Sequence, residues 1–356
     1  MEPSRPLRVL LCTGGSVGHL APAVAAWRAL ERLAPGSSSR CVCTERAEDA
    51  EFLRFEDVDA VPVPWPRRSW RFPLQFLSAY RKSARVLDAW APDVVLSKGG
   101  AVSVPACLAA RKRGIPIVLH ESDAVSGYAN RVVARWAAAV CLGFPADPLP
   151  PRAAVTGNPV RPEVTTGNRD EGLRIAGFDG KKPILLVLGG SQGARDVNRI
   201  VLDLLPRISP LADVLHLTGK GKRERGPGPG YFPLEFAYAE LPHFYAAATL
   251  ALSRAGAGSI SELAAAGLPG ILTPLRGLAQ DHQEHNARAA EAAGAFLRIE
   301  QSDLPSVLVP TLERLLSTPP DRNATRTKMG ALHRPDAAEA IARAVIEAVE
   351  ASGKRS

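Results

Sequence analysis

Short apolar runs and longer amphipathic stretches alternate from one end of the chain to the other. "RVLLC", "RCVCT", "VVLS", "PIVLH" and "AVCLG" read as strands, followed by "PILLVLG", "VLHLTG", "LALS" and "GILTPL". Several are continuously apolar rather than alternating, the pattern of parallel strands covered on both faces. Strand–helix alternation of this kind predicts an α/β doubly wound sheet that takes its ligands at the carboxyl ends of the strands. The pattern then starts over. The glycine-rich strand exit "LLCTGGSVGHLAPAVAAWRAL" is echoed by "LLVLGGSQGARDVNRIVLDLL", and the segment "VTGNPVRPEVTTGNRDEG" between them reads as a linker. Two domains are expected, 1–160 and 161–335, facing each other across a cleft. The final helix, about 336–356, carries an apolar stripe in "DAAEAIARAVIEAVEAS" and no strand after it, so it is expected to pack back on the first domain. The loop "GKGKRERGPGPGYFP" reads as exposed and mobile.

Composition sharpens the division. At 356 residues the chain suits two cores, and all five cysteines and all five tryptophans lie in its first 141 residues. The cysteines (Cys12, Cys41, Cys43, Cys107, Cys141) sit in apolar stretches without metal-type histidine pairing and read as reduced core thiols, Cys41 and Cys43 on one strand face. An excess of 44 basic over 36 acidic residues, net +8, favours an anionic partner. No apolar run is long enough to span a bilayer, and "MEPSRPLRVLLC" is too short for a secretory leader, so a cytoplasmic location is expected.

The glycine loops are where chemistry enters. Backbone N–H groups of Gly14, Gly15, Ser16, Val17 and Gly18 lie beside a helix N-terminus, which favours anions. A dinucleotide fingerprint counted from Gly14 needs glycine at positions held by Ser16 and His19, so it fails, although Glu45 sits where a ribose-binding acid would. Gly189 to Gly193 repeat the arrangement. In "LSRAGAGSISELAAAGLP", Ser259 and Ser261 are expected to open a helix with Glu262 in its first turn, either as a ligand group or as an acid complementing the dipole. Asp281, His282, Gln283, Glu284, His285 and Asn286 form a polar run after a strand, suited to a polyhydroxyl ligand. Its His-x-x-His spacing lacks a third ligand for zinc.

Seven blocks in order, over nearly the whole chain, resemble the MurG family. These are bacterial transferases that add N-acetylglucosamine to the undecaprenyl-pyrophosphoryl-muramoyl-pentapeptide precursor of peptidoglycan. The blocks are "GGSVGHLAPAVA", "PDVVLSKGGAVSVPACLAA", "IPIVLHESDAVSGYANR", "VTGNPVRPEV", "LLVLGGSQGARDVN", "SRAGAGSISELAAAGLPGIL" and "DHQEHNARAAEAAGA". The resemblance implies the GT-B fold of two Rossmann-like domains, an acceptor-binding first half and a donor-binding second half. It implies UDP-N-acetylglucosamine as donor, the muramoyl C4 hydroxyl of lipid I as acceptor, lipid II as product, and an inverting mechanism with no cofactor or metal. The alternative is a related GT-B transferase with another lipid or small-molecule acceptor.

Carried onto this sequence, the resemblance places Ser16, Val17 and Gly18 at the donor and His19 by the reacting centre. It implies phosphate contacts at Arg161 and Ser191, a nucleotide-binding segment at Ala257, Gly258 and Ser259, and ribose contacts at Glu262. Tyr238 falls where backbone meets the uracil ring, Gln283 where the sugar hydroxyls are read, and Asn130 among the substrate contacts. Val17 replaces a glycine and Asp123 an asparagine of the family pattern, and a carboxylate at Asp123 needs neutralising beside a pyrophosphate. His19 is the first choice for general base, Glu121 the rival and Asp123 a third candidate, while His19 as a helix cap is the plain alternative.

The lipid acceptor calls for a membrane-facing surface. Residues 60–87 contain no acid, and Arg67, Arg68, Arg71, Arg81, Lys82 and Arg85 interleave with Trp65, Trp70, Phe72, Leu74, Phe76 and Leu77. Basic residues near anionic lipid contribute roughly 1 kcal/mol each, and aromatics favour the interface. An anionic inner-membrane surface is therefore the expected partner, on the cytoplasmic side. The alternative is that Phe76, Tyr80 and Leu87 are only a core stripe. No nucleic-acid motif accompanies the charge.

Overall fold

Two fully parallel sheets organise the computed structural model, which describes residues 5–15, 17–64, 70–146, 148–190, 193–277, 281–294, 296–318 and 322–353. The chain divides into two compact units, Met1–Pro159 with Arg334–Ser356, and Val160–His333.

The first unit runs β1 (Arg8–Cys12), α1 (Val17–Leu33), β2 (Ser38–Thr44), α2 (Ala47–Phe55), β3 (Asp59–Val63), α3 (Phe72–Trp90), β4 (Val94–Ser97), α4 (Ser103–Arg111), β5 (Ile117–Glu121), α5 (Tyr128–Ala134), β6 (Ala139–Leu142) and β7 (Ala153–Val155). Its strand order is β3-β2-β1-β4-β5-β6-β7. Order reverses beside β1, whose neighbours are β2 and β4, so the β1 and β4 exits flank a switch point, where doubly wound sheets bind ligands. Val9, Leu10, Leu11 and Cys12 of β1 are fully buried because helices cover both faces.

The second unit runs α6 (Arg169–Ala176), β8 (Ile184–Leu188), α7 (Arg195–Ile208), β9 (Asp213–Leu217), β10 (Tyr231–Leu234), α8 (Leu241–Ala247), β11 (Leu250–Ser253), α9 (Ala257–Ala266), β12 (Gly270–Leu272), α10 (His282–Ala292), β13 (Phe296–Arg298), α11 (Leu304–Ser317) and α12 (Arg322–Lys328). Its order is β10-β9-β8-β11-β12-β13, which puts the switch beside β8.

The chain then returns to the first unit as α13 (Ala337–Gly353). Ile341, Val345, Ala348 and Val349, spaced as one helical stripe, enter the core formed by Leu20, Val24 and Trp27 of α1 with Val9 and Leu11 of β1.

The nine runs that predict strands all contain one, and the four strands without such a run, β3, β7, β10 and β13, are the four sheet edges. Edge strands are short and half-covered, and they tolerate Pro62 and Pro233, which a central ladder would exclude. One expectation needs correcting here. The loop "GKGKRERGPGPGYFP" ends inside β10, where Tyr231 is buried and its hydroxyl meets His216 Nδ1 at 3.0 Å.

Candidate functional site

In the first unit, three strand exits carry the chemistry. Beyond β1, Gly14 and Gly15 adopt positive φ (150° and 93°) against a carboxylate that the sequence does not flag. Asp49 of α2 is buried, and its Oδ2 accepts Thr44 Oγ1 at 2.5 Å and the Gly15 N–H at 2.8 Å. A Cβ on Gly14 would lie 2.7 Å from that oxygen. The Gly15 N–H is thus committed to Asp49 rather than open to an anion, which corrects the expectation for this loop. Ser16 lies outside the described residues. Val17 opens α1 and Gly18 is exposed beside it, while His19, the third helical residue, is exposed with its carbonyl accepting Thr13 Oγ1 at 3.1 Å.

Beyond β5, Glu121 is buried and both its oxygens are used. Oε2 accepts Asn130 Nδ2 at 2.7 Å and Oε1 accepts the Asp123 N–H at 3.1 Å. Burial and the neighbouring Asp123 push its carboxyl up. Asn130, expected as a substrate contact, is buried and braced, since its Oδ1 also accepts the Gly100 N–H at 3.3 Å. Asp123 is half-buried beside it. The third exit, after β4, brings Lys98, also missed from sequence, onto Ser122 Oγ.

The brace depends on Gly99. A Cβ there would lie 2.0 Å from Asn130 Oδ1, at φ 87°, whereas Gly100 at φ 81° has open space. Gly99→Ala is therefore expected to cost roughly 2–4 kcal/mol, combining backbone strain with a broken buried network, against about 1–2 kcal/mol for Gly100→Ala. Denaturant midpoints of the two variants check the difference, and equal losses would remove the brace.

In the second unit, Arg161 precedes a short 3-10 turn at Pro162–Thr165, its Nη2 3.5 Å from Glu262 Oε1. Tyr245 donates its hydroxyl to Glu262 Oε2 at 2.8 Å, and burial raises that phenol well above its ordinary value. Helix α9 starts at Ala257, not at the serines, with Gly256 extended as its cap (φ −70°, ψ 139°). Glu262 is thus the sixth helical residue, past the first turn, and the reading as a dipole-complementing acid falls. Gly258 and Ser259 occupy the accessible first turn, while Ala257 and Ser261 are buried.

The polar run that opens α10 is not one patch. Glu284 is buried among Arg276, Arg288 and Arg298, and buried Asn286 donates to the Ala255 carbonyl at 3.2 Å. Gln283 is half-buried, and its Oε1 takes the Leu275 N–H at 3.0 Å. Tyr238 is exposed, its ring 4.4 Å from that of Phe236 and its N–H donating to Glu240 Oε2 at 3.1 Å. Ser191 lies outside the described residues. Among the described residues no group of three His, Cys, Asp or Glu is placed to hold a metal ion.

Residues 9–142 match the model of the glycosyltransferase family 28 N-terminal domain, and residues 184–341 match that of its C-terminal domain. The chain belongs to glycosyltransferase family 28. A relative from Nocardioides sp. is 37% identical over 96% of this chain and 98% of its own length. It is named UDP-N-acetylglucosamine–N-acetylmuramyl-(pentapeptide) pyrophosphoryl-undecaprenol N-acetylglucosamine transferase, as is a Moorella thermoacetica protein 34% identical over 97% of this chain and 100% of that one. Among solved structures, Acinetobacter baumannii MurG superposes with a TM-score of 0.72 at 25% identity, covering 96% of this chain and all of that one. The glycotransferase of kitacinnamycin reaches the same TM-score at 17% identity, covering 98% of this chain and all of that one, which shows the shared fold alone. The family-28 chain thus has the GT-B class of fold, built from two Rossmann-like domains.

The start of its α3, with Trp70 just before it, carries a group of exposed apolar residues. Trp70 and Leu74 are 80% and 66% exposed, Phe72 and Leu77 each 41%, and Arg81 is exposed on the same helix. Arg71 lies over the Trp70 ring at 4.9 Å, and Phe72 and Phe76 rings are 5.9 Å apart. The buried stripe is Ala79, Ser83 and Leu87, with Tyr80 packed against the same core and Phe76 half-buried. The helix is therefore anchored by its later turns and leaves its first turns uncovered. Among the described residues no helix is long and apolar enough to cross a membrane.

Proposed function

We propose that the chain transfers N-acetylglucosamine, with inversion, from UDP-N-acetylglucosamine to the muramoyl C4 hydroxyl of undecaprenyl-pyrophosphoryl-N-acetylmuramoyl-pentapeptide, converting lipid I to lipid II. The observation that carries the reading is the Glu262 carboxylate. It is held by Tyr245 and Arg161 on a helix that opens with small residues, in a chain aligned end to end with relatives named for this reaction.

The second unit binds the donor. Glu262 accepts the ribose hydroxyls, Arg161 and the α9 N-terminus hold the pyrophosphate, Gln283 reads the sugar and the Tyr238 region meets the uracil. The first unit serves the acceptor. His19 takes the C4 hydroxyl proton as that oxygen attacks the anomeric carbon, and UDP leaves with the electron pair of the broken bond. Exposure favours His19 over Glu121, whose two oxygens are both engaged. The positive end of the α1 dipole disfavours imidazolium, which suits a proton acceptor, and pyrophosphate offsets that field once the proton has moved. Fixed N–H groups and Arg161 stabilise the leaving group.

The uncovered start of α3 sits on the cytoplasmic face of the membrane, with Trp70, Phe72, Leu74 and Leu77 in the interface and arginines at anionic headgroups. Leu74→Asp is expected to weaken binding to phosphatidylglycerol vesicles about tenfold or more, from lost apolar burial. Sedimentation with the vesicles measures it, and unchanged binding would move the contact elsewhere.

Incubation with radiolabelled UDP-N-acetylglucosamine and a short-chain lipid I analogue tests the reaction. Labelled disaccharide-lipid is the expected product. UDP binding without that product points to the second reading, a GT-B transferase with another acceptor. Absence of UDP-sugar binding would end both.

A further inference from the structure

A lysine is almost never fully buried without a charged partner, and Lys98 is 3% exposed. Its N–H donates to the Cys12 carbonyl at 2.9 Å, tying the β4 exit to β1, and its ammonium donates to Ser122 Oγ. The segment it reaches is fixed from the other side as well, because the Ser122 carbonyl accepts Asn158 Nδ2 at 3.0 Å. Glu121 and Asp123 flank that serine. Two carboxylates so close, one of them buried, disfavour each other's ionisation unless a cation offsets them.

We propose that Lys98 is a positioning residue of the acceptor-side site, the internal counter-charge that keeps Glu121 and Asp123 ionised and seats their turn through Ser122. The role in turnover rests on the transfer reading above; the counter-charge itself does not. It also answers the difficulty of a carboxylate at Asp123 near a pyrophosphate, since the negative charge is balanced from inside the protein. The titratable groups around the ammonium are Glu121, Asp123, His120 and Cys141, with Glu347 of α13 acting on Cys141. Burial holds His120 neutral and pushes Cys141 up to about 12, so the two carboxylates are the charges left to act on the ammonium. Burial also lowers Lys98 to about 8 against the pull of both carboxylates, leaving it charged at neutral pH.

The test uses Lys98→Met and Lys98→Arg in the full chain. Loss of the positive charge raises the carboxylate pKa. In the His19→Gln background, where the limb is set by the carboxylates and not by the imidazole, the acidic limb of kcat/KM for the acceptor should therefore move up by about one pH unit on Lys98→Met, and it should stay in place on Lys98→Arg, whose charge persists. A limb that stays in place on Lys98→Met overturns the proposal, because a merely structural lysine would lower the rate without moving the limb. Unfolding midpoints give a reading independent of transfer. Glu121, already pushed up in the wild type, is pushed further in Lys98→Met, so the native state holds more protons and stability falls as pH rises through the folded pKa. The deficit against wild type should thus be larger near pH 7 than near pH 5. Equal deficits overturn the counter-charge, whereas a pH-dependent deficit in a chain that transfers nothing overturns only the transfer reading. If Lys98→Met does not fold, the Lys98→Met/Glu121→Gln double variant, which removes one charge of each sign, should fold, and its failure to do so overturns the proposal.

Discussion

His19→Ala is expected to lower turnover by about 10²- to 10⁴-fold, the range over which a positioned general base acts, while KM for UDP-N-acetylglucosamine changes by about twofold or less. The asymmetry follows from where the groups sit. His19 stands in the first turn of α1, exposed, just after a loop shaped by Asp49, whereas Arg161, Glu262 and Gln283 belong to the other compact unit. Removing a proton acceptor affects the transition state, where the hydroxyl proton is in flight, far more than the bound donor. His19→Gln sharpens the test, because it keeps a polar side chain of similar reach but cannot accept the proton at neutral pH. Steady-state kinetics of both variants decide the matter. Equal losses in kcat and donor affinity would make His19 a loop element or donor contact, and a Gln variant near wild-type rate would exclude proton transfer.

The central strands could be read because burial on both faces writes an unbroken apolar run into the sequence, as in "ILLVL" of β8. β3 and β10 could not, since an edge strand with Pro62 or Pro233 lacks that run and is specified by its neighbour instead. The start of α9 was displaced for a related reason. Serines are strong caps, so "GSIS" draws the eye, yet extended Gly256 caps the helix and Ala257 begins it. Contiguity misled at the polar run of residues 281–286, because a helical period sends Glu284 and Asn286 inward while His285 faces out. Asp49 lies in no motif, and Lys98 and Asn158 lie within resembling blocks that attach no role to them. Their roles exist only where strand exits distant in sequence converge, as when Thr44 and Gly15 meet one carboxylate oxygen. A charged residue directly after the apolar run "VVLS" was the available signal for Lys98. His19, Glu121, Asp123 and Asn130 were legible through the family resemblance of "GGSVGHLAPAVA" and "IPIVLHESDAVSGYANR", the stretches at the β1 and β5 exits of one sheet.

Glu262→Ala is expected to raise the dissociation constant for UDP by about a hundredfold or more. Two hydrogen bonds from the ribose hydroxyls to an ionised carboxylate contribute about 1.5–3 kcal/mol each, and 1.4 kcal/mol is roughly a factor of ten. The same change should erase discrimination against a 2′-deoxy nucleotide, since an acceptor built for a hydroxyl is what penalises its absence. Tyr245→Phe should give a smaller loss, about tenfold, because the carboxylate keeps its place on α9 but loses the donor fixing Oε2. Arg161 separates the two ends of the nucleotide. It pairs with Glu262 at 3.5 Å, and pyrophosphate offers it a bidentate partner in exchange. Arg161→Gln should therefore weaken UDP much more than uridine, while Glu262→Ala weakens both alike. Calorimetry with UDP, uridine and 2′-deoxy-UDP reads all three variants. If Glu262→Ala retains the 2′-hydroxyl preference, the ribose is read elsewhere and the carboxylate serves only to hold Arg161 and Tyr245.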